Sequence, residues 1–249
     1  MESWAEKYRP ESLSDLIGNT SALNDLKNWA SSWGNKTTKK GIILSGPPGC
    51  GKTSAAFALA NDMGWEVIEL NASDTRSGNV IEGIALRAGL FQTFGNQGIS
   101  SRNLILLDEA DNLYERAQQS KTKTKNYSDR GGKKAIAKTL EQTKQPVVIT
   151  VNDLYNLTKG TGAKIKRLAL TLKFRRPSAV SVSNVLKNVC EKEGLEISHE
   201  TIRAMADSAK GDLRAAINDL QSLSEGNEEI TEEDIEKLGS RDRETEMFD

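Results

Sequence analysis

Histidine and cysteine are almost missing from this chain, and long apolar runs are missing altogether. Its 249 residues include one histidine and two cysteines. His199, in "EISHETI", has no second histidine to build a metal or acid–base site with, and reads as a surface residue at a helix start. Cys50 and Cys190 lack metal-ligand spacing, and two isolated cysteines suit a reducing cytoplasm rather than a disulfide scaffold. No segment approaches the roughly 18 apolar residues that span a bilayer. "MESWAEKYRP" has no signal-peptide core. The expectation is a folded, cytoplasmic protein, and no internal repeat breaks its sequence.

Charge is balanced overall and uneven along the chain. The formal net charge is −1, yet residues 225–249 hold eleven acidic and three basic side chains, which leaves the preceding part positive. That body is suited to a polyanion, while a mixed solvated surface is the plain alternative. The acidic end reads as an exposed helix with a frayed tail.

What is present is alternation. "GIILSG" (41–46), "WEVIELNA" (65–72), "NLILLDEA" (103–110), "PVVITVND" (146–153) and "LALTLKF" (168–174) read as buried strands. Their continuous apolar centres suit a parallel sheet covered on both faces. "SALNDLKNWASSW", the segment after Lys52, "NVIEGIALRAGLFQTF" and "KKAIAKTLEQT" read as helices between them, which predicts a doubly wound α/β domain. Trp29 and Trp33, four apart, are expected to pack on that sheet. Past Pro177 the strands stop. "SAVSVSNVLKNVCEKEG", "SHETIRAMADSAKG", "DLRAAINDLQSLSEG" and "TEEDIEKLG" predict a small helical bundle. The division expected is a core over 1–176, a helical lid over 177–240 and an acidic tail over 241–249. "QQSKTKTKNYSDRGGKK" (118–134) reads as a mobile basic loop.

"GPPGCGKT" carries the first chemistry. Gly46, Gly51, Lys52 and Thr53 match the phosphate-binding spacing G-x-x-x-x-G-K-[ST]. Glycines let the main chain fold tightly enough to aim several N–H groups inward, and the following helix adds its positive N-terminal end. Lys52 would reach the β- and γ-phosphates of ATP, and Thr53 would offer a hydroxyl to Mg²⁺. Pro47, Pro48, Gly49, Cys50 and Ser54 complete the expected nucleotide-binding loop. "NLILLDEA" delivers Asp108 and Glu109 to a strand end, where open α/β sheets bind ligands. Asp108 is the expected Mg²⁺ partner, and Glu109 the general base that polarises water. Asn152, ending "PVVITVN", is placed to orient that water. Arg214 lies in the first turn of a helix capped by Asp212, where a cation opposes the helix dipole, and so suits a γ-phosphate beyond the helix. A nucleoside kinase is the other reading of a phosphate loop, but no substrate lid of that kind is evident.

With these motifs in place the chain resembles the AAA+ ATPases, and within them the large subunits of archaeal-type replication factor C clamp loaders. The resemblance runs through "WAEKYRPESLSDLIGN", "GPPGCGKTS", "ELNASDTRS", "LLDEADNL", "DRGGKKAI", "VITVND" and "GDLRAAINDLQ". It implies a P-loop core with a five-stranded parallel sheet followed by a helical lid. It also implies a hetero-pentamer with four small subunits that opens a ring-shaped sliding clamp and loads it at primer–template DNA. By the resemblance, Tyr8, Arg9, Pro10, Ile17 and Gly18 would line the adenine side, and Asn152 and Arg214 would be the two sensors. Arg76, Lys133, Lys134 and Lys138 would grip DNA phosphates, with Lys121, Lys123 and Lys125 assisting.

Two departures stand out. Where small subunits carry a Ser-Arg-Cys finger, "KIKRLALTLKF" places Arg167, Leu168 and Ala169, so only a displaced Arg167 remains as a finger. The finger for this site is then expected from a neighbour, which makes the isolated chain a poor ATPase. The chain also stops without the collar of such pentamers, as an N-terminal fragment or short form would. A branch-migration helicase and a non-hydrolysing nucleotide-gated scaffold are the alternative functions.

Overall fold

A computed structural model describes residues 3–33, 39–71, 102–112 and 132–226. Strands β1 (Gly41–Ser45), β2 (Glu66–Asn71), β3 (Asn103–Asp108), β4 (Val147–Val151) and β5 (Ala169–Lys173) form a sheet in the order β2-β3-β4-β1-β5. Every pairing is parallel.

Both faces of that sheet are covered, which is why the strands read as unbroken apolar runs rather than alternating ones. Period-two alternation then divides each run between two cores. Ile42, Leu44, Leu104, Leu106 and Val148 face helices α2 (Thr20–Ser31) and α3 (Lys52–Met63). Ile43, Ile105, Leu107, Val147 and Ile149 face α4 (Gly132–Gln142) through Ile136 and Leu140. On α2, Leu23, Leu26, Trp29 and Ala30 recur at helical spacing and are buried. Trp29 packs on the sheet as expected and donates its indole N–H to Lys39 O at 2.7 Å. Trp33 meets it edge to face at 5.6 Å between ring centroids. The small residues Ala55, Ala56, Ala58 and Ala60 let α3 lie close against the strands and hold its first turn at their C-terminal ends.

Several short segments escaped the sequence reading. α1 (Trp4–Lys7) and one 3-10 turn, Leu13–Asp15, precede α2, where no element was expected. α5 (Leu154–Thr158) and α6 (Ala163–Leu168) occupy the connection between β4 and β5. Leu168, expected to open a strand, instead closes α6. Residues 132–134, assigned to a loop, form the first turn of α4. The remainder of that loop, 118–131, and the helices expected from "NVIEGIALRAGLFQTF" and "TEEDIEKLG" lie outside the described residues.

Beyond the sheet, α7 (Ala179–Glu193), α8 (His199–Ser208) and α9 (Leu213–Gly226) pack around Val182, Leu186, Ile202, Ala206, Ile217 and Leu220. Ser178 and Ser198 cap α7 and α8 by accepting from Ser181 N and Thr201 N, and Asp212 caps α9 by accepting from Ala215 N at 3.0 Å. His199 accordingly stands at a helix start. α1 is seated on this bundle: Trp4, Ala5 and Tyr8 join its core, and Trp4 N donates to Gln221 Oε1 at 2.8 Å.

Candidate functional site

The lid closes over the strand ends and leaves a cavity of about 650 Å³. Its floor is the turn from β1 into α3. Gly49 and Gly51 adopt φ of 66° and 90°, a left-handed backbone that a side chain disfavours. A Cβ on Gly49 would also collide with the Asp212 carboxylate, so the lid rests directly on this loop. A main-chain bond from Leu213 N to Gly49 O, 3.1 Å, fixes the contact.

Lys52 opens α3 and is buried, with its ammonium turned into the loop. Nζ donates to Gly46 O at 2.8 Å, to Pro47 O at 2.7 Å and to Asn152 Oδ1 at 2.9 Å. Burial pushes this ammonium below the ordinary lysine range; Cys50, Asp111 and Asp108 oppose that shift, and the positive charge of Arg214 adds to it. One residue on, Thr53 Oγ1 donates to Asp108 at 3.1 Å and 3.3 Å from its two carboxylate oxygens. Thr150, on β4, also donates its hydroxyl to Asp108 and accepts the Glu109 N–H at 3.1 Å. Glu109 itself sits at φ 52°, where β3 breaks from extended geometry and enters the 3-10 turn Ala110–Asn112.

The structure thus brings Lys52, Thr53, Asp108, Glu109, Asn152 and Arg214 to one cavity. Pro48, Gly49, Gly51 and Ser54 line it as well; Gly46, Pro47 and Cys50 do not, and the Cys50 side chain is buried in the core under α3. On the opposite wall Tyr8, Arg9, Pro10 and Ile17 face the cavity. Gly18 does not reach it and sits at φ 80° beside Pro177. Tyr8 donates its hydroxyl to Glu193 Oε1 at 2.6 Å, and Lys7 Nζ meets the same oxygen at 2.5 Å. Those two donors hold the Glu193 carboxyl below the usual carboxylate range. Arg9 lies over the Phe57 ring at 4.7 Å and bonds Glu6.

Other assigned residues fall elsewhere. Lys134 and Lys138 are exposed on α4, whereas Lys133 Nζ is drawn to Asn156 O at 2.6 Å and caps the end of α5. Arg76, Lys121, Lys123 and Lys125 lie outside the described residues. Arg167 is exposed on α6 and does not line its own cavity. Two site residues were missed. Thr150 is the one hydroxyl in the aliphatic run "VVITV", a signal that its 1% exposure makes meaningful. Asp111 follows the acidic pair and accepts from the main chain of Asn152 and Asp153.

A phosphate-loop turn, an acidic strand tip and a helical lid define a family, and the sequence comparison decides which. The family model described as "ATPase family associated with various cellular activities (AAA)" matches residues 42–176, more than half of the chain. The chain belongs to this AAA family. A second model, "RCF1/5-like, AAA+ ATPase lid domain", matches residues 184–224. Among curated proteins, the AAA chain is 44% identical over 237 residues to the replication factor C large subunit of Methanosarcina mazei, covering 95% of this chain and 36% of the relative. It is 41% identical over 257 residues to that of Halorubrum lacusprofundi, covering 100% of this chain and 48% of the relative. The resemblance expected from the motifs is therefore found, over less than half the length of those relatives. Two solved variants of Thermotoga maritima RuvB superpose with TM-scores of 0.68 and 0.67 at 16% and 15% identity, covering 92% of this chain and 71% of theirs. At that identity they establish the fold alone. Among the described residues no helix is long and apolar enough to cross a membrane.

Proposed function

We propose that this AAA chain is the ATP-driven part of a clamp-loader large subunit, working with replication factor C small subunits to open a sliding clamp and load it at primer–template DNA. The observation that carries the catalytic half is the convergence of Lys52, Thr53, Asp108, Glu109, Asn152 and Arg214 on one cavity between loop and lid. Its similarity to replication factor C large subunits carries the other half.

The adenine end of ATP lies against Tyr8, Arg9, Pro10 and Ile17, and the phosphates lie on the loop amides from Gly49 to Ser54. Phosphate oxygens take over the Lys52 ammonium from the carbonyls of Gly46 and Pro47, which it bonds here. The Thr53 hydroxyl and the Asp108 carboxylate, 3.1 Å apart, are hard oxygen donors of the kind Mg²⁺ accepts, so they fit that ion. The ion supplies charge neutralisation at the phosphates. Glu109 accepts a proton from the attacking water as general base, while Asn152 orients that water and Arg214 binds the γ-phosphate from the lid. A cation from a neighbouring subunit completes the site, an effect worth about 10³–10⁵ in rate where it is known, so the isolated chain turns over slowly. Lys134 and Lys138, exposed on α4, grip DNA phosphates in a sequence-indifferent and salt-dependent manner.

Glu109→Gln tests the chemistry. Removing a general base should lower turnover by about 10²-fold or more while ATP still binds; unchanged turnover would take Glu109 out of that role. Assembly with small subunits, measured as ATPase activity with and without clamp and primed DNA, tests the setting. Stimulation that needs clamp and DNA together is the expected result. Stimulation by DNA alone points to a helicase.

A further inference from the structure

Asp111 ties the turn after β3 to the turn after β4. It lies in the 3-10 turn after β3, is 8% exposed and does not line the cavity. One carboxylate oxygen, Oδ2, accepts from Asn152 N at 3.0 Å and from Asp153 N at 2.9 Å. The other, Oδ1, is buried and accepts no hydrogen bond among the described residues. What the β4 turn takes from Asp111 is a buried acceptor for two main-chain amides, a task that any side-chain oxygen in that position can perform.

The two amides belong to the turn that follows β4. Asn152 is gripped at both ends: its main chain by Asp111, and its amide oxygen by Lys52 Nζ at 2.9 Å. Asp153 then turns its own carboxylate forward to cap α5, accepting from Tyr155 N and Asn156 N. Asp111 therefore sets the height and angle at which β4 delivers Asn152 to the loop. Its negative charge also lies near enough to Lys52 to favour the charged ammonium.

We propose that Asp111 is a positioning residue for triphosphate recognition, holding the Asn152 turn so that the Asn152 amide meets the γ-phosphate beside Lys52. This rests on the reading that the cavity takes ATP. No contact between Asp111 and the nucleotide is involved; it acts through Asn152.

The test is the preference of the full chain for a slowly hydrolysed triphosphate, ATPγS, over ADP, measured by competition against a fluorescent nucleotide. Asn152→Ala should reduce that preference roughly tenfold, which is a coupling of ordinary size. Asp111→Ala should reduce it about as much. The double variant should lose no more than either single one, because both remove the same interaction. Asp111→Asn retains an oxygen able to accept both amides, and should restore the preference to within about threefold of the original. Intact preference in Asp111→Ala, or losses that multiply in the double variant, would overturn the proposal. If Asp111→Ala does not fold, Asp111→Asn decides: preference lost at an unchanged melting temperature overturns the positioning role. Lys52→Ala serves as the control for the underlying reading. If it binds both nucleotides as the parent chain does, the ATP assignment fails first and this role fails with it.

Discussion

The sheet core and the helical lid hold their parts of the cavity in different ways. The phosphate end is built on β1, β3 and β4, whose central side chains Ile42, Ile43, Leu44, Leu104, Ile105 and Leu106 have no exposed surface. Lys52, Asp108 and Asn152 project from the ends of elements clamped in that double-sided core. The lid has its own core, which Trp4, Ala5 and Tyr8 from the N-terminal segment join. Polar links add to that packing: Leu213 N to Gly49 O, Tyr8 and Lys7 to Glu193, and Arg176 to Lys210 O at 3.1 Å. Next to that last link, Asn19 and Arg175 exchange two bonds, 2.7 and 3.0 Å, between the start of α2 and the chain leaving β5. Two-sided hydrophobic burial fixes the phosphate half of the site, whereas the lid is joined to it by the packing of α1 and a few hydrogen bonds.

The largest effect expected from breaking this contrast is at Lys52. Lys52→Ala removes the only ammonium among the cavity-lining residues of the loop and should weaken ATP binding by about 100-fold or more, read by fluorescent-nucleotide titration. Retained micromolar affinity would refute the loop assignment.

Next are two matched truncations. Leu106→Ala in the sheet and Leu220→Ala in the lid both delete fully buried side chains, each at a cost of about 2–5 kcal/mol. The first should lower the melting temperature of the whole core. The second should leave the sheet amides protected in hydrogen exchange and open only the lid. Uniform loss of protection in both variants would mean that the two halves unfold as one.

Arg214→Ala removes a cation that reaches the cavity from the lid. ATP affinity should fall about tenfold, less than at Lys52, with ADP affinity nearly unchanged.

The smallest effect concerns pH. The Glu193 carboxyl is held low by Lys7 and Tyr8, so its contribution is fully present above the ordinary carboxylate pKa of 4.5 and is lost as pH falls below it. Lid opening, followed by hydrogen exchange in α7, should increase on acidification past that point. Glu193→Gln should remove the part of the increase that comes from this link, and a Gln variant with the full response would assign the acid sensitivity elsewhere.

Much of this was legible in the sequence, for reasons that differ by element. The strands announced themselves because a sheet covered on two faces needs unbroken runs such as "LILL" and "VVITV". The loop did so because few arrangements other than "GPPGCGKT" place flexible main chain before a lysine-headed helix. Asn152 and Arg214 were singled out from position alone, one at a strand end and the other in a first turn, and both line the cavity. What escaped depends on partners distant in sequence. α1, α5 and α6 are too short for a helical period to show, and α1 gains its burial from residues some two hundred positions away, such as Gln221. Thr150 and Asp111 matter only because β3 and β4 lie side by side, a pairing that "DEADN" and "VITVN" do not reveal separately. Lys133 was misplaced for the same reason, since the carbonyl it caps belongs to a helix that had not been foreseen.

The tether between Gly49 and Leu213 runs from amide to carbonyl, so ordinary side-chain exchange leaves it in place. Drift in sequence can retune the latch at Glu193, but it cannot easily sever this joint. Proline is the exception: Leu213 is the first residue of α9, a position where proline's missing amide is tolerated by the helix itself. A single imino acid there would remove this one joint between cover and floor and leave the links at Glu193 and Lys210 in place.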